Sequence, residues 1–433
     1  MEHQTTFMRF CLIYLVSIFI SCTPMYAQNE KAICSISGRV INRESKTLLI
    51  RKSTQELRSF LKDPIKIPIQ NGAFSYTLPF TEIEALELIF EDELDKGMWK
   101  PILFFPFEGK IEFELYPQEE WEKNKTRGGD LNKEYEIYRE LARLKFQFYK
   151  DKLNNSRDSL RQANQLEQEE YLQVFKDLRL LSPNDQLARV PLYQKSDELE
   201  KTGGRYTEIA KQLYLNPFDS LVKEELKWKY QYIRNNCSLS NYYLLWADAM
   251  RVAKDNMLAA QLIKEVFPFY QAKFPNHIYT QSVINQLNGL KTIAIGNNYI
   301  DLKALTVKGD TVSLSKVVDS KVTLVNFWGS WCGPCIAKMR LIKPVYDKYK
   351  SQGFSIVGIA REFQNLKALN NRIKIEQYSW INLVDLDDQF SIWNKYGINN
   401  GVGMMILIDS KGKILAIDPK PAELDELLSK KLK

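Results

Sequence analysis

Histidine is scarce in this chain. Its 433 residues include only two, His3 and His277, and His3 lies in a segment that we expect to be removed. A metal site built from several histidines is therefore excluded. A Cys–His or Ser–His catalytic pair would depend on His277 alone, so we expect a structural role for this residue.

Signatures of nucleotide and nucleic-acid binding are also missing. The sequence contains neither a Walker phosphate loop nor a GxGxxG motif. Its 60 Lys and Arg residues are interspersed with 53 Asp and Glu residues, which leaves a net charge of +7 and no basic patch. We therefore expect no nucleic-acid partner. With 45% apolar and 26% charged residues the chain is globular, and its length predicts several domains.

The sequence has one long hydrophobic run. Residues 10–20 form an apolar stretch of 11 residues. A membrane-spanning helix needs about 20 residues, so this stretch is typical of a secretory signal instead. Two processing sites compete: cleavage after Ala27, and a lipoprotein box that ends at Cys22, where a lipid would be attached. We predict a signal peptide over residues 1–27 and an exported protein of the periplasm or cell envelope, either soluble or lipid-anchored.

Cysteine is infrequent for an exported chain. Cleavage after Ala27 leaves four cysteines, too few to act as a disulfide framework for a protein of this length. Cys34 and Cys237 are far apart in sequence and are either bridged or single buried thiols, of which we favour the second. Cys332 and Cys335 form a close pair.

The hydrophobic pattern changes twice along the chain. Residues 28–118 contain short alternating runs separated by turn residues, which predicts a small β-sandwich. Residues 130–292 are charged and poor in Gly and Pro, which predicts an all-α region. Residues 295–433 alternate strands with helices and end in a hairpin and a helix, which predicts an α/β fold with a mixed sheet flanked by helices.

Helical spacing supports two local predictions. Tyr138, Leu141, Leu144 and Phe148 recur at the period of a helix, and we expect this stripe to lie in the core. Residues 387–396 are predicted to form a helix.

The motif WCGPC, residues 331–335, stands where a buried strand turns into a helix. Two residues between Cys332 and Cys335 allow a disulfide across the first helical turn. The helix N-terminus favours a thiolate, so we expect Cys332 to be the exposed nucleophile that attacks a partner disulfide. Cys335, one turn further and less exposed, then resolves the mixed disulfide.

The other residues of the motif support this chemistry. Gly333 and Pro334 lie between the cysteines, and the missing N–H of a proline is not needed in the first helical turn. Trp331 screens the site and offers an apolar contact to a docking chain. A purely structural disulfide is the less favoured alternative. Zinc would need four ligands, and haem attachment would need a histidine at Ile336, so we predict no metal and no cofactor beyond the redox-active disulfide.

These motifs, with the segment at residues 396–398 and the hairpin at 407–414, resemble the thioredoxin superfamily, most of all its exported TlpA/ResA-like thiol:disulfide oxidoreductases. The resemblance covers roughly residues 295–433. It implies a thioredoxin fold, a nucleophile at Cys332, a resolving thiol at Cys335, and a reducing role toward disulfide-containing envelope proteins. In an oxidising compartment we expect a membrane reductant as the electron donor.

The chain departs from the family pattern near the motif. Gly403 occupies the place of the usual cis-proline, which predicts a trans, looser loop with weaker or broader docking, or neutral drift. Asn326 stands where thioredoxin has a buried acid and cannot accept the proton of Cys335, a task left to water or Glu362. Lys338 places a positive charge nearby, which favours a thiolate and predicts a couple less reducing than the roughly −270 mV of thioredoxin.

Two other functions remain open at this point. The first is a binding or scaffold protein whose redoxin domain has degenerated, an alternative that Gly403 favours and the intact WCGPC motif opposes. The second is a peroxidase, which would need Thr or Ser three residues before the reactive cysteine, where this chain has Gly329.

Overall fold

The computed structural model describes residues 31–56, 60–61, 63–182, 186–254, 256–398 and 403–432. The predicted signal peptide and Cys22 lie outside these residues. Within them, strands come first along the chain, a long helical region follows, and strands alternate with helices at the end. This order confirms the predicted multidomain fold class.

The first part of the chain forms two four-stranded sheets that share one apolar core. In one sheet the strand order is β4-β1-β7-β8, and in the other it is β3-β2-β5-β6. The strands are β1 (Ala32–Val40), β2 (Thr47–Lys52), β3 (Ile65–Pro68), β4 (Ala73–Phe80), β5 (Leu86–Phe90), β6 (Ile102–Phe104), β7 (Gly109–Leu115) and β8 (Lys125–Arg127). Side chains that alternate along β7, such as Ile111 and Phe113, are buried between the sheets. The predicted β-sandwich is confirmed, and its first sheet extends to β8, beyond the expected limit at residue 118.

Two cysteines are single thiols. Cys34 is fully buried in the sandwich core and Cys237 is half-buried among the helices. Neither cysteine forms a disulfide. Burial raises the pKa of both thiols above the ordinary value. The interpretation of these cysteines as unbridged thiols is confirmed.

The helical region contains seven helices of at least three turns within the described residues. They are α1 (Asp130–Gln162), α2 (Glu169–Leu180), α3 (Gln186–Lys201), α4 (Asn216–Asn235), α5 (Leu239–Arg251), α6 (Met257–Lys273) and α7 (Ile278–Thr292). With 33 residues, α1 is about 50 Å long at the usual rise per residue. None of the helices in the described ranges is both long and apolar enough to cross a membrane.

The prediction of a buried stripe on α1 is wrong for three of its four residues. Leu141, Leu144 and Phe148 are 43%, 66% and 71% exposed. Helix α4 packs against α1 on the side that carries Tyr138 and Phe146, whose rings contact the ring of Trp228 at centroid distances of 5.7 and 5.5 Å. Helical spacing indicates which residues share a face, but it does not indicate which face a partner helix covers.

The sandwich and the helices are joined by buried polar contacts. The amide of Asn132 accepts a hydrogen bond from Phe105 N at 2.7 Å and donates one to Phe105 O at 2.9 Å. The hydroxyl of Tyr279 accepts a bond from Ala85 N at 2.7 Å. His277 caps α7: its Nδ1 accepts from Tyr279 N, so Nε2 carries the proton and donates to Ile83 O at 3.0 Å. The expected structural role of His277 is thereby confirmed.

The last part of the chain forms a seven-stranded mixed sheet in the order β10-β9-β13-β12-β11-β14-β15. Strands β11, β12 and β13 are parallel, whereas β14 runs antiparallel to β11. The strands are β9 (Lys303–Thr306), β10 (Thr311–Ser313), β11 (Val322–Trp328), β12 (Phe354–Glu362), β13 (Ile381–Leu386), β14 (Met405–Asp409) and β15 (Ile414–Ile417). The helices are α8 (Gly333–Tyr349), α9 (Lys367–Glu376), α10 (Ile392–Lys395) and α11 (Pro421–Lys431). This is the predicted thioredoxin fold.

The helix predicted over residues 387–396 is shorter than expected. Asp387, Asp388 and Ser391 have φ values of 52°, 57° and 52°, which a continuing right-handed helix does not allow. The carboxylate of Asp385 accepts hydrogen bonds from Phe390 N and from the N–H of Ile392, so it holds a turn before the single helical turn of α10. Burial raises the pKa of Asp385.

Two glycines meet where α7 contacts the end of α10. A Cβ added to Gly289 would lie 2.5 Å from Gly397 N, so only glycine fits there. Gln286 Nε2 also donates a hydrogen bond to Gly397 O at 3.3 Å. The helical region and the turn after α10 are therefore in backbone contact.

We expect Gly289→Ala to destabilise this contact. In open space the substitution would stabilise a helix by about 1 kcal/mol, whereas overpacking costs about 1–3 kcal/mol. The clash should dominate and lower the unfolding midpoint in urea. The exposed neighbour Asn288→Ala is the matched control and should leave the midpoint nearly unchanged. A gain in stability for Gly289→Ala would show that the two backbones do not meet.

Candidate active site

Cys332 and Cys335 are joined by a disulfide at the point where β11 leads into α8. Their Cα atoms are 5.3 Å apart. Cys332 is the N-cap of α8, and its Sγ accepts a hydrogen bond from Cys335 N at 3.3 Å. Pro334 lies in the first turn, and the helix begins at Gly333. The predicted strand-to-helix setting of the pair is confirmed.

Both cysteines are buried, which differs from the expectation that Cys332 is exposed. Each has 4% of its surface accessible. Trp331 covers this region: its ring lies against Gly329, where an added Cβ would be 2.5 Å from the indole. The indole nitrogen donates a hydrogen bond to Arg361 O at 2.8 Å, which fixes the ring. The screening role of Trp331 stays a prediction.

Gly403 packs directly behind the disulfide. Its N–H donates a hydrogen bond to Cys335 Sγ at 3.3 Å. A Cβ added to Gly403 would collide with the carbonyl oxygen of Phe327 and stand 3.2 Å from Cys335 Sγ. The expected looseness is therefore not found at Gly403 itself. The residues before it, 399–402, lie outside the described part of the chain.

Asn326 is buried on the same face of β11 as Leu324 and Trp328. Those two residues belong to the apolar cluster that contains both cysteines, so Asn326 lies on the face of the sheet that faces this cluster. Its side-chain nitrogen has no hydrogen-bond partner among the described residues. No carboxylate takes the place of the family's buried acid at this position.

Glu362 is 3% exposed and lies at the end of β12. Its two carboxylate oxygens accept hydrogen bonds from Ser330 N at 2.6 Å and from Ser330 Oγ at 2.8 Å. Ser330 is two residues before Cys332, so Glu362 holds the turn that presents the disulfide. The sequence signal for this role was a single acidic residue at the end of an apolar strand, which does not identify its partner.

Lys338 lies one turn beyond Cys335 on α8, with its side chain 47% exposed. Its ammonium group is 3.6 Å from Asp418 Oδ1, which also accepts a hydrogen bond from Met405 N. Asp418 offsets part of the expected positive charge, so the predicted shift toward a less reducing couple loses part of its basis. Within the described ranges, no cluster of His, Cys, Asp and Glu is arranged to hold a metal ion.

A groove of about 950 Å³ opens beside the disulfide. One wall is the start of α8, including Gly333 and Pro334, and the other is a face of α3 that includes the exposed Tyr193. Sequence reasoning missed the contribution of α3, because nothing local indicates that a helix more than 130 residues upstream packs beside the motif.

Comparisons with known proteins cover this part of the chain. A family model described as Redoxin matches residues 286–428. A ResA thiol-disulfide oxidoreductase of Bacillus cereus is 30% identical over 121 residues, which are 28% of this chain and 67% of that protein. A thioredoxin-like protein of Haemophilus influenzae is 31% identical over 117 residues, 27% of this chain and 64% of that protein.

Solved structures give likenesses over a similar share of the chain. The thioredoxin domain of a thiol-disulfide oxidoreductase from Bacteroides vulgatus is 26% identical, covers 33% of this chain and 99% of its own, and has a TM-score of 0.30. A thiol-disulfide oxidoreductase from Bacteroides fragilis is also 26% identical, covers 31% of this chain and 98% of its own, and has a TM-score of 0.28.

The ResA relative and the Redoxin model agree with each other and with the fold around the disulfide. The chain therefore belongs to the thioredoxin superfamily, in its ResA/TlpA-like branch, and is a thiol-disulfide oxidoreductase.

Proposed function

We propose that the protein exchanges disulfides with client proteins of the cell envelope through Cys332 and Cys335. The observation that carries this proposal is the position of Cys332 at the N-cap of α8, where its sulfur accepts the N–H of Cys335. The same N–H stabilises a thiolate in the reduced protein, and the helix dipole adds to this effect.

The exchange proceeds in two displacements. In the first, the thiolate of reduced Cys332 attacks one sulfur of a client disulfide; a bond forms between Cys332 and that sulfur, and the other client sulfur leaves as a thiolate. In the second, the thiolate of Cys335 attacks Cys332 Sγ. The Cys332–Cys335 disulfide forms, and the client leaves with both sulfurs reduced. The client gains two electrons. An external dithiol then reduces the Cys332–Cys335 disulfide and is itself oxidised to a disulfide, so the reaction uses no further cofactor.

Several residues assist without exchanging electrons. Gly403 N–H points at Cys335 Sγ and stabilises negative charge on that sulfur. Glu362 holds the turn through its two bonds to Ser330, and the proton of Cys335 passes to water or to Glu362. Asn326 and Lys338 lie near the pair and do not accept its proton.

The proposed location is the periplasm or cell envelope. The apolar run at residues 10–20 supports export, and Cys22 offers a lipid anchor if the lipoprotein site is the one used. The clients are then envelope proteins with exposed disulfides, and the electron donor is a membrane reductant.

Insulin reduction tests the activity. With dithiothreitol as the reductant, the parent protein should accelerate insulin precipitation, and Cys332→Ser should return the rate to that of dithiothreitol alone. Cys237→Ser is the matched control, since this thiol is far from the site in the fold, and it should keep the parent rate. A parent protein without any acceleration would favour the alternative of a non-catalytic scaffold with a degenerate redoxin domain.

A further inference from the structure

The groove beside the disulfide has one wall from outside the thioredoxin fold. Tyr193, Gln194, Asp197 and Lys201 line it from α3, and their spacing places them on one face of that helix. The opposite wall begins at Gly333 and Pro334, between the two cysteines. The groove therefore reaches the segment between the two cysteines.

Apolar side chains make up much of the groove lining near the motif. They are Pro334, Ile336, Leu341, Met405, Pro419 and Pro421. On the opposite wall, which α3 forms, Tyr193 is 47% exposed. An aromatic ring that faces an apolar strip across an open groove is suited to contact an inserted peptide.

The charges of the lining are unequal. Five cationic side chains, Lys201, Lys338, Arg340, Arg372 and Lys420, face two carboxylates, Asp197 and Asp418. Asp197 pairs with Lys201 at 3.1 Å, and Asp418 lies 3.6 Å from Lys338. The two arginines share the nearby Glu376.

The exposed Lys420 forms no ion pair within the described residues. Glu376 balances the charge of one of the two arginines, so the other arginine adds a second positive charge. The groove therefore keeps a net positive charge.

We propose that α3 is the second wall of the client-binding groove, that the groove selects an extended client segment with acidic residues beside the cystine, and that Tyr193 is a specificity-determining residue. This inference rests on the proposed function, because the occupant is the chain that carries the disulfide. The positive charge attracts acidic segments and raises the rate of encounter, an effect that salt weakens.

Two cystine peptides test the charge preference. They share one sequence except that two residues beside the cystine are Asp in one and Lys in the other. At low ionic strength the reduced protein should reduce the acidic peptide about 10-fold faster, and the ratio should fall toward one in 0.5 M salt. Lys420→Glu should lower the ratio, whereas Lys411→Glu, in an exposed turn outside the groove, should not. Equal rates for the two peptides at low salt would overturn the proposal.

A second experiment tests the wall formed by α3. Tyr193→Ala should slow reduction of the acidic peptide several-fold but leave exchange with hydroxyethyl disulfide, which is too small to reach across the groove, at the parent rate. Tyr149→Ala removes a similarly exposed tyrosine on α1, 55% against 47%, and should change neither rate. If Tyr193→Ala behaves like Tyr149→Ala, α3 takes no part in recognition.

The same measurements separate the two levels of inference. A parent protein that exchanges with neither peptide nor with hydroxyethyl disulfide fails the proposed function itself. A protein that exchanges with all of them without preference retains the function and loses only the proposed groove.

Discussion

Cys335→Ser should retain its client as a mixed disulfide with Cys332. In the parent protein Cys335 lies in the same helical turn as Cys332, so resolution is intramolecular. Well-oriented intramolecular reactions reach effective concentrations of about 10⁵ M and above. Without the second sulfur only dilute external thiols can release the client. The lifetime of the intermediate should therefore increase by at least about 10³-fold.

Serine is the suitable replacement because its hydroxyl can still accept the N–H of Gly403 in place of Cys335 Sγ. Non-reducing electrophoresis followed by mass spectrometry would detect the adduct and identify the client. Cys332→Ser is the control and should capture nothing. Capture by Cys332→Ser at a similar level would reverse the assigned roles of the two sulfurs.

Gly403→Ala should impair both stability and activity. The added methyl collides with the carbonyl oxygen of Phe327, a backbone atom in the central strand β11 that cannot move away as a flexible side chain can. Overpacking of this kind costs about 1–3 kcal/mol. The backbone behind Cys335 must shift, which breaks the N–H···Sγ contact, and we expect the rate of insulin reduction to fall about 10-fold or more.

Gly333→Ala provides the control for stability, because a Cβ at that position meets nothing within 4 Å. Thermal unfolding should show a lower Tm for Gly403→Ala and no loss of Tm for Gly333→Ala, where the added methyl enters open space at the start of α8. Gly403→Pro, which restores the residue usual in the family, removes the N–H that points at Cys335 Sγ and should also reduce the rate. Full activity and stability of Gly403→Ala would show that this segment is as loose as the sequence suggested.

The sequence was informative wherever local pattern determines structure. The buried run of β11 followed by WCGPC predicted the strand-to-helix turn, because both the hydrophobic run and the proline in the first helical turn are local signals. The scarcity of histidine likewise led to the structural role of His277, since one histidine cannot form a metal site.

Features that depend on distant packing were missed. The exposure of Leu144 and the burial of Cys332 both depend on which neighbours cover a face, and no residue within one turn encodes that. The glycine contact between α7 and Gly397, and the wall that α3 provides, join segments separated by more than 100 residues. The helix predicted from residue 387 begins later in the structure, because Asp387 and Asp388 have positive φ values that a right-handed helix does not allow.

The two single thiols have a consequence for a protein whose chemistry is sulfur exchange. An unpaired thiol that is exposed and ionised attacks the disulfide of another oxidised copy. Cys34 is sealed inside the sandwich, and burial keeps both it and Cys237 more fully protonated at neutral pH. A protonated thiol is a poor nucleophile. The fold thus protects the enzyme from disulfide exchange between its own copies. Concentrated stocks should form no intermolecular disulfides.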